Sequence, residues 1–103
     1  MRAYSLTPQA KADIFEIWSY IAEDSVSIAD RVERAIFEAC ELLAGAPLAG
    51  HLRQDLTTRP VRFWTLNRYP SYMIVYRPET APLQIIAVVH GKRNLPPILE
   101  TRP

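Results

Sequence analysis

Seven residues late in the chain, Leu83 to Val89 (LQIIAVV), constrain the fold most. The run is nearly unbroken in its apolarity, rich in Ile and Val, and too short for a helix of ordinary length. Pro82 precedes it and Gly91 follows closely. Such a run reads as a strand buried on both faces, hence a central one. It leads straight into His90-Gly91-Lys92-Arg93-Asn94, so a hydrophobic strand delivers an imidazole and two cations to one edge of a sheet. That edge is a candidate functional feature, and the rest of the chain must cover the strand and surround the edge.

Upstream, two further runs carry the β-branched and aromatic residues that suit strands, VRFWTL from Val61 and YMIVYR from Tyr72 to Arg77. Asn67 to Ser71 is a turn, and Pro78 to Pro82 is a short hairpin loop. An antiparallel meander from residue 61 to 90 follows. Residues 2 to 6 (RAYSL) alternate weakly and read as an edge strand. The tail LPPILETRP holds three prolines and is expected to be non-helical through residues 95 to 97.

The first half reads as helix. Thr7-Pro8 is a strong start, since Thr caps and Pro is tolerated at the first helical position. Ile14, Ile17, Trp18 and Ile21 fall on one face, with Asp13 and Glu16 expected to point elsewhere, and the helix should run from about residue 8 to 23. Ser27 to Asp30 resembles a capping box for a second helix carrying Ile28, Val32, Ile36, Ala39 and Leu43 on one face. Gly45 is expected just past its end, with Pro47 preventing continuation. A short link near residues 24 to 26 makes the pair an antiparallel hairpin. Gly50 to Pro60 is a polar loop. The fold expected is α+β: an N-terminal edge strand and a two-helix hairpin packed on a three- to four-stranded, mainly antiparallel sheet. Trp18 and Trp64 are expected in the core, with Ile14, Ile36 and Leu43 meeting Phe63, Ile74, Ile85 and Ala87 or their opposite-face neighbours.

A chain of 103 residues supports one domain with one core. No apolar run is long enough to span a membrane, and the N-terminal stretch lacks the apolar centre of a signal peptide, so a cytoplasmic protein is expected. The single Cys40 excludes an internal disulfide and reads as a small buried hydrophobe in the second helix. His51, His90 and Cys40 have no ligand spacing, so neither metal nor cofactor is expected. The net charge of +1 conceals an asymmetry: residues 1–50 hold four cations against eight acids, and residues 51–103 hold eight cations against three acids. This fits either an acidic and a basic binding face or simple solvation of both halves.

Taken together, LTPQAKADIFEIWSYIAED, GHLRQDL, PVRFW, YMIVYR and IIAVVHGKRN resemble, in order and spacing, the RelE/ParE superfamily of toxins from type II toxin–antitoxin systems. The ending HGKRN is more similar to the ParE branch. The resemblance covers nearly the whole chain and implies a single toxin domain over residues 1–103. It further implies a toxin neutralised by a cognate ParD-like antitoxin that lays a helix or extended segment across it, forming a hetero-oligomer. ParE-like members poison DNA gyrase; RelE-like members cut mRNA on the ribosome.

The residues separate these alternatives. A metal-independent ribonuclease needs a base, cations and a proton donor. Where RelE-like members often carry Arg after the middle-strand Tyr, this chain has Met73, and its tail offers Leu95, Ile98 and Leu99 but no Tyr or His. Arg93 alone matches. His90 has a pKa suited to acid–base work, yet at a strand end beside Gly91 an imidazole also serves to cap backbone. The expected reading is an inhibitor that acts by binding, with gyrase as the expected target and no sequence-specific nucleic-acid contact. His90, Lys92, Arg93, Arg62 and Arg68 are expected to contact the target. Trp18, Arg53, Trp64 and Arg77 are expected to contact the antitoxin. The alternatives are a ribosome-dependent mRNA endonuclease and a degenerate toxin that only binds its antitoxin.

Overall fold

The computed structural model describes residues 3–102. Their elements are β1 (Tyr4–Leu6), α1 (Pro8–Ala22), α2 (Val26–Gly45), β2 (Arg62–Thr65), β3 (Tyr72–Arg77), β4 (Leu83–His90) and α3 (Leu95–Thr101). The strands form one sheet in the order β1-β4-β3-β2. β2, β3 and β4 are the antiparallel meander, and β1 adds in parallel to the far side of β4. The expected edge strand therefore exists, although Arg2, its expected first residue, lies outside the described residues.

β4 is central because both of its faces are apolar. Its alternation is broken once. Val75 and Tyr76 are adjacent on β3 but face Ala87 and Ile85 on β4, so Ile86 is an extra residue, a bulge. As a result Leu83, Ile85 and Val88 turn toward the helix hairpin, while Ile86, Ala87 and Val89 all turn to the other face.

The helix-side core joins Ala10, Ile14, Val32, Ile36, Cys40 and Leu43 to Ile74, Tyr76, Ile85 and Val88. α1 starts where Thr7 caps it, its hydroxyl accepting from the Ala10 N–H at 3.1 Å. The second helix begins two residues earlier than the capping-box reading: Ser25 is the cap, accepting from the Ile28 N–H at 3.2 Å, because the link between helices is shorter than expected. Ile28 consequently sits in the first turn and is exposed. Gly45 closes α2 from within, and Ala46 leaves the helix.

The opposite sheet face has its own core of Val61, Phe63, Met73, Val75, Ile86, Ala87, Val89, Leu95 and Leu99, edged by Leu56. Phe63 and Ala87 belong here and not under the hairpin. What covers this face is α3, which corrects the reading of the tail as non-helical. Pro96 and Pro97 fall in the first turn, where the backbone N–H groups have no intrahelical acceptor, so nothing is lost. Arg59, in the loop before β2, bonds the carbonyls of Leu99 and of Arg102, the latter at 2.7 Å, and so finishes the helix end.

Gly50 marks a close approach. The Tyr76 hydroxyl accepts from the Gly50 N–H at 2.9 Å and donates to the Pro47 carbonyl at 2.7 Å. A Cβ on Gly50 would lie 2.6 Å from that hydroxyl and 2.9 Å from the Phe63 carbonyl oxygen, so only glycine fits. His51 then bridges to Phe63, fastening the polar loop to the sheet.

Candidate functional site

β4 outruns its partner β1. Pairing between them ends at Leu6 opposite Ile85, and the chain then turns into α1, yet β4 continues to His90. Between this open stretch and the flank of α1 lies a groove of about 440 Å³. Asp13, Glu16, Ile17 and Tyr20 form its helix wall; Val88, Val89, His90, Tyr72 and Arg93 form its sheet wall.

One end of the open stretch is closed by a buried ion pair. Arg102 binds Asp13 through two nitrogens at 2.8 and 2.9 Å and also donates to the Ile86 carbonyl at 2.9 Å. Asp13 in turn accepts from the Val88 N–H at 3.0 Å. A carboxylate and a guanidinium thus take the backbone groups that a longer β1 would have paired. Hydrogen bonding to Asp13 pushes the Arg102 pKa up, against the opposing effect of burial. Asp13 does not point away from the core as its acidic character suggested; it is buried, because its carboxylate is fully engaged.

The other end carries the charged turn. The His90 Nδ1 accepts from the Lys92 N–H at 3.1 Å, and the His90 carbonyl accepts from the Arg93 N–H at 3.0 Å. The imidazole meets the Tyr72 ring edge-on at 5.3 Å. Burial, with a smaller contribution from neighbouring Tyr20, raises the Tyr72 pKa, so the phenol stays protonated at neutral pH. Lys92 and Arg93 are exposed.

Of the expected target-contacting residues, the fold brings His90, Lys92 and Arg93 together. Arg62 lies on β2, two strands away, and donates to the Gly50 carbonyl at 2.8 Å. Arg68 sits in the β2–β3 turn and lines a smaller groove with Trp64 and Leu42. The residues expected to meet an antitoxin are dispersed. Trp18 is half-buried on α1, outside both cores, with its indole N–H donating to Asp30 at 2.8 Å across the hairpin. Trp64 is half-buried against the helix-side core, where β2 is the sheet's edge. Neither tryptophan is the fully buried core residue expected. Arg53 is exposed and paired with Asp55 at 2.8 Å, which lowers the Asp55 pKa. Arg77 ends β3. Asp13, Glu16, Tyr20 and Arg102 were not foreseen as site residues. Asp13 carried a signal: with Ala10, Ile14 and Ile17 it completes the buried stripe of α1, where an acid is out of place.

The groove offers an imidazole, a carboxylate, two phenols and a guanidinium. Among the described residues no hydrogen bond links these groups through their side chains into a base–acid pair. Met73 and Leu99, at the places where a nuclease of the superfamily would want Arg and Tyr, are both buried in the second core, behind the sheet from the helices. No cluster of metal-ligating side chains occurs among the described residues, and no described helix is long and apolar enough to cross a membrane.

A family model described as the ParE toxin of type II toxin–antitoxin system, parDE, matches residues 4–95. The chain belongs to the ParE toxin family. The match spans the sheet, the hairpin and the groove, and stops at the first residue of α3. The fold is also that of a chain in the chromosomal ParDE toxin–antitoxin system from P. aeruginosa, with a TM-score of 0.71 and 23% identity over 87% of this chain and 96% of that one. A search of curated proteins finds no match. As a ParE-family toxin of a type II system, this chain carries the expected α+β architecture, with α3 as the element that the sequence reading did not foresee.

Proposed function

We propose that this toxin acts by binding and not by catalysis, that its target is DNA gyrase in the cytoplasm, and that a ParD-like antitoxin silences it by occupying the groove between α1 and β4. The observation that carries the non-catalytic reading is the burial of Met73 and Leu99 in one apolar core, which leaves Arg93 without the partners that RNA cleavage needs. The antitoxin part rests on the groove, where apolar Ile17 and Val88 lie between the tyrosines and a charged rim. Lys92 and Arg93, exposed at the mouth of this groove, are positioned to meet target and antitoxin alike, so the two compete.

Co-expression with the protein encoded in the neighbouring reading frame tests this. The expected result is a tight complex that relieves growth arrest, weakened at least tenfold by Tyr20→Ala. A toxin indifferent to that protein would contradict the reading. Codon-phased mRNA cuts appearing only with ribosomes would favour the endonuclease instead.

A further inference from the structure

We infer that the open edge of β4 at Val88–His90 is a strand-addition site, and that the antitoxin enters the groove there as an extended segment hydrogen-bonded to the β4 backbone. The inference rests on the docking groove proposed above and specifies how it is occupied.

The direction of each backbone group on β4 follows from its neighbours. The Gly91 N–H donates to the Ser71 carbonyl at 2.7 Å, so Gly91 faces β3. Tyr72, opposite His90, spends its own N–H on Tyr69 and its carbonyl on Leu66, both away from β4. Tyr72 and His90 are therefore a non-hydrogen-bonded pair, and the His90 N–H points out of the sheet edge. Val88, two residues earlier, shares that direction, as its N–H bond to Asp13 shows. The Val88 carbonyl and the His90 N–H are left facing the groove, with no partner among the described residues. Unpaired strand edges attract strands, and a peptide that completes a sheet gains its affinity from main-chain bonds of this kind.

The Asp13–Arg102 pair sets the register. It fills the edge at the Ile86 carbonyl and the Val88 N–H, so an incoming strand can pair only from the Val88 carbonyl onward. The added segment must then place an alternate side chain toward Ile17 and Tyr20. An acidic residue at its far end would meet Lys92 and Arg93, the cationic end of the same stretch. The occupant is thus a short extended segment with an acid beside an apolar residue. A helix cannot satisfy these two groups, because its own backbone N–H and C=O groups are already bonded.

Two measurements on the full chain with the neighbouring-frame protein test this. Amide hydrogen exchange should slow at least tenfold at His90 on complex formation, with little change at Val88, whose N–H is already bonded. His90→Pro should weaken the complex at least tenfold relative to His90→Ala, since both lose the imidazole and only the first loses the N–H. Proline is tolerated there because the lost N–H is not part of the ladder, and unchanged circular dichroism checks the fold. A complex that forms with His90 exchanging as in the free chain, and with the two variants binding alike, overturns strand addition. If Tyr20→Ala still weakens that complex, the groove reading survives alone; if Tyr20→Ala is also silent, both fall.

Discussion

Asp13 makes four contacts' worth of sense out of one side chain: it holds Arg102, the Val88 N–H, the start of α1 and the open edge of β4 together. Removing one partner of a buried ion pair leaves the other uncompensated, so Asp13→Ala should cost about 3–5 kcal/mol, read from denaturant unfolding. By contrast Asp55→Ala, at the exposed Arg53 pair, should cost no more than about 1 kcal/mol. Cys40 predicts a pH dependence. Burial, with help from Glu41, pushes its thiol from near 9 to about 12. The unfolded chain loses that proton first, so the folded state binds more protons between these values, and stability is full below pH 9 and falls as pH rises toward 12. Tyr4, Tyr72 and Tyr76 are shifted in the same direction. The denaturation midpoint should therefore drop between pH 8 and pH 10.5, and Cys40→Ala should flatten part of the drop. Cys40 was legible because a small apolar residue on a helix face reads as buried. Asp13 was not, since its partners lie 75 and 89 residues away and only the fold joins them.

At the scale of elements, β3 and β4 were legible to the residue, because continuous Ile- and Val-rich runs between breakers leave little choice. α3 was misjudged because the prolines were weighed as helix interior, whereas they occupy the first turn. Leu99 then becomes a core residue, and Leu99→Ala should cost about 2–5 kcal/mol and loosen the second face. Trp18 shows the opposite error. It lies on the apolar stripe of α1, but beyond the end of the sheet it meets only the neighbouring helix and Asp30. Trp18→Ala should thus cost less than the roughly 3–5 kcal/mol of a buried Trp, and Asp30→Ala should account for part of the loss in a double-mutant cycle.

For the whole molecule, the charge split has a structural counterpart in part. Acids crowd α1 and α2, while Lys92 and Arg93 project from the far end of β4. The eight cations of the second half do not make one surface: Arg59, Arg62 and Arg102 spend their guanidinium groups on backbone carbonyls and Asp13. That division could not be read from residue order, since an arginine looks the same whether it braces a loop or meets a partner. What remains exposed at the groove mouth is a compact cationic site and not a broad phosphate-binding face. The central claim, inhibition of gyrase by binding, is tested most directly by titrating the purified toxin into a DNA supercoiling reaction, beside primer extension on a translated message. The account predicts loss of supercoiling that Lys92→Ala with Arg93→Ala weakens without unfolding the protein, and no ribosome-dependent cuts. Undiminished supercoiling with codon-phased cleavage of the message would contradict it.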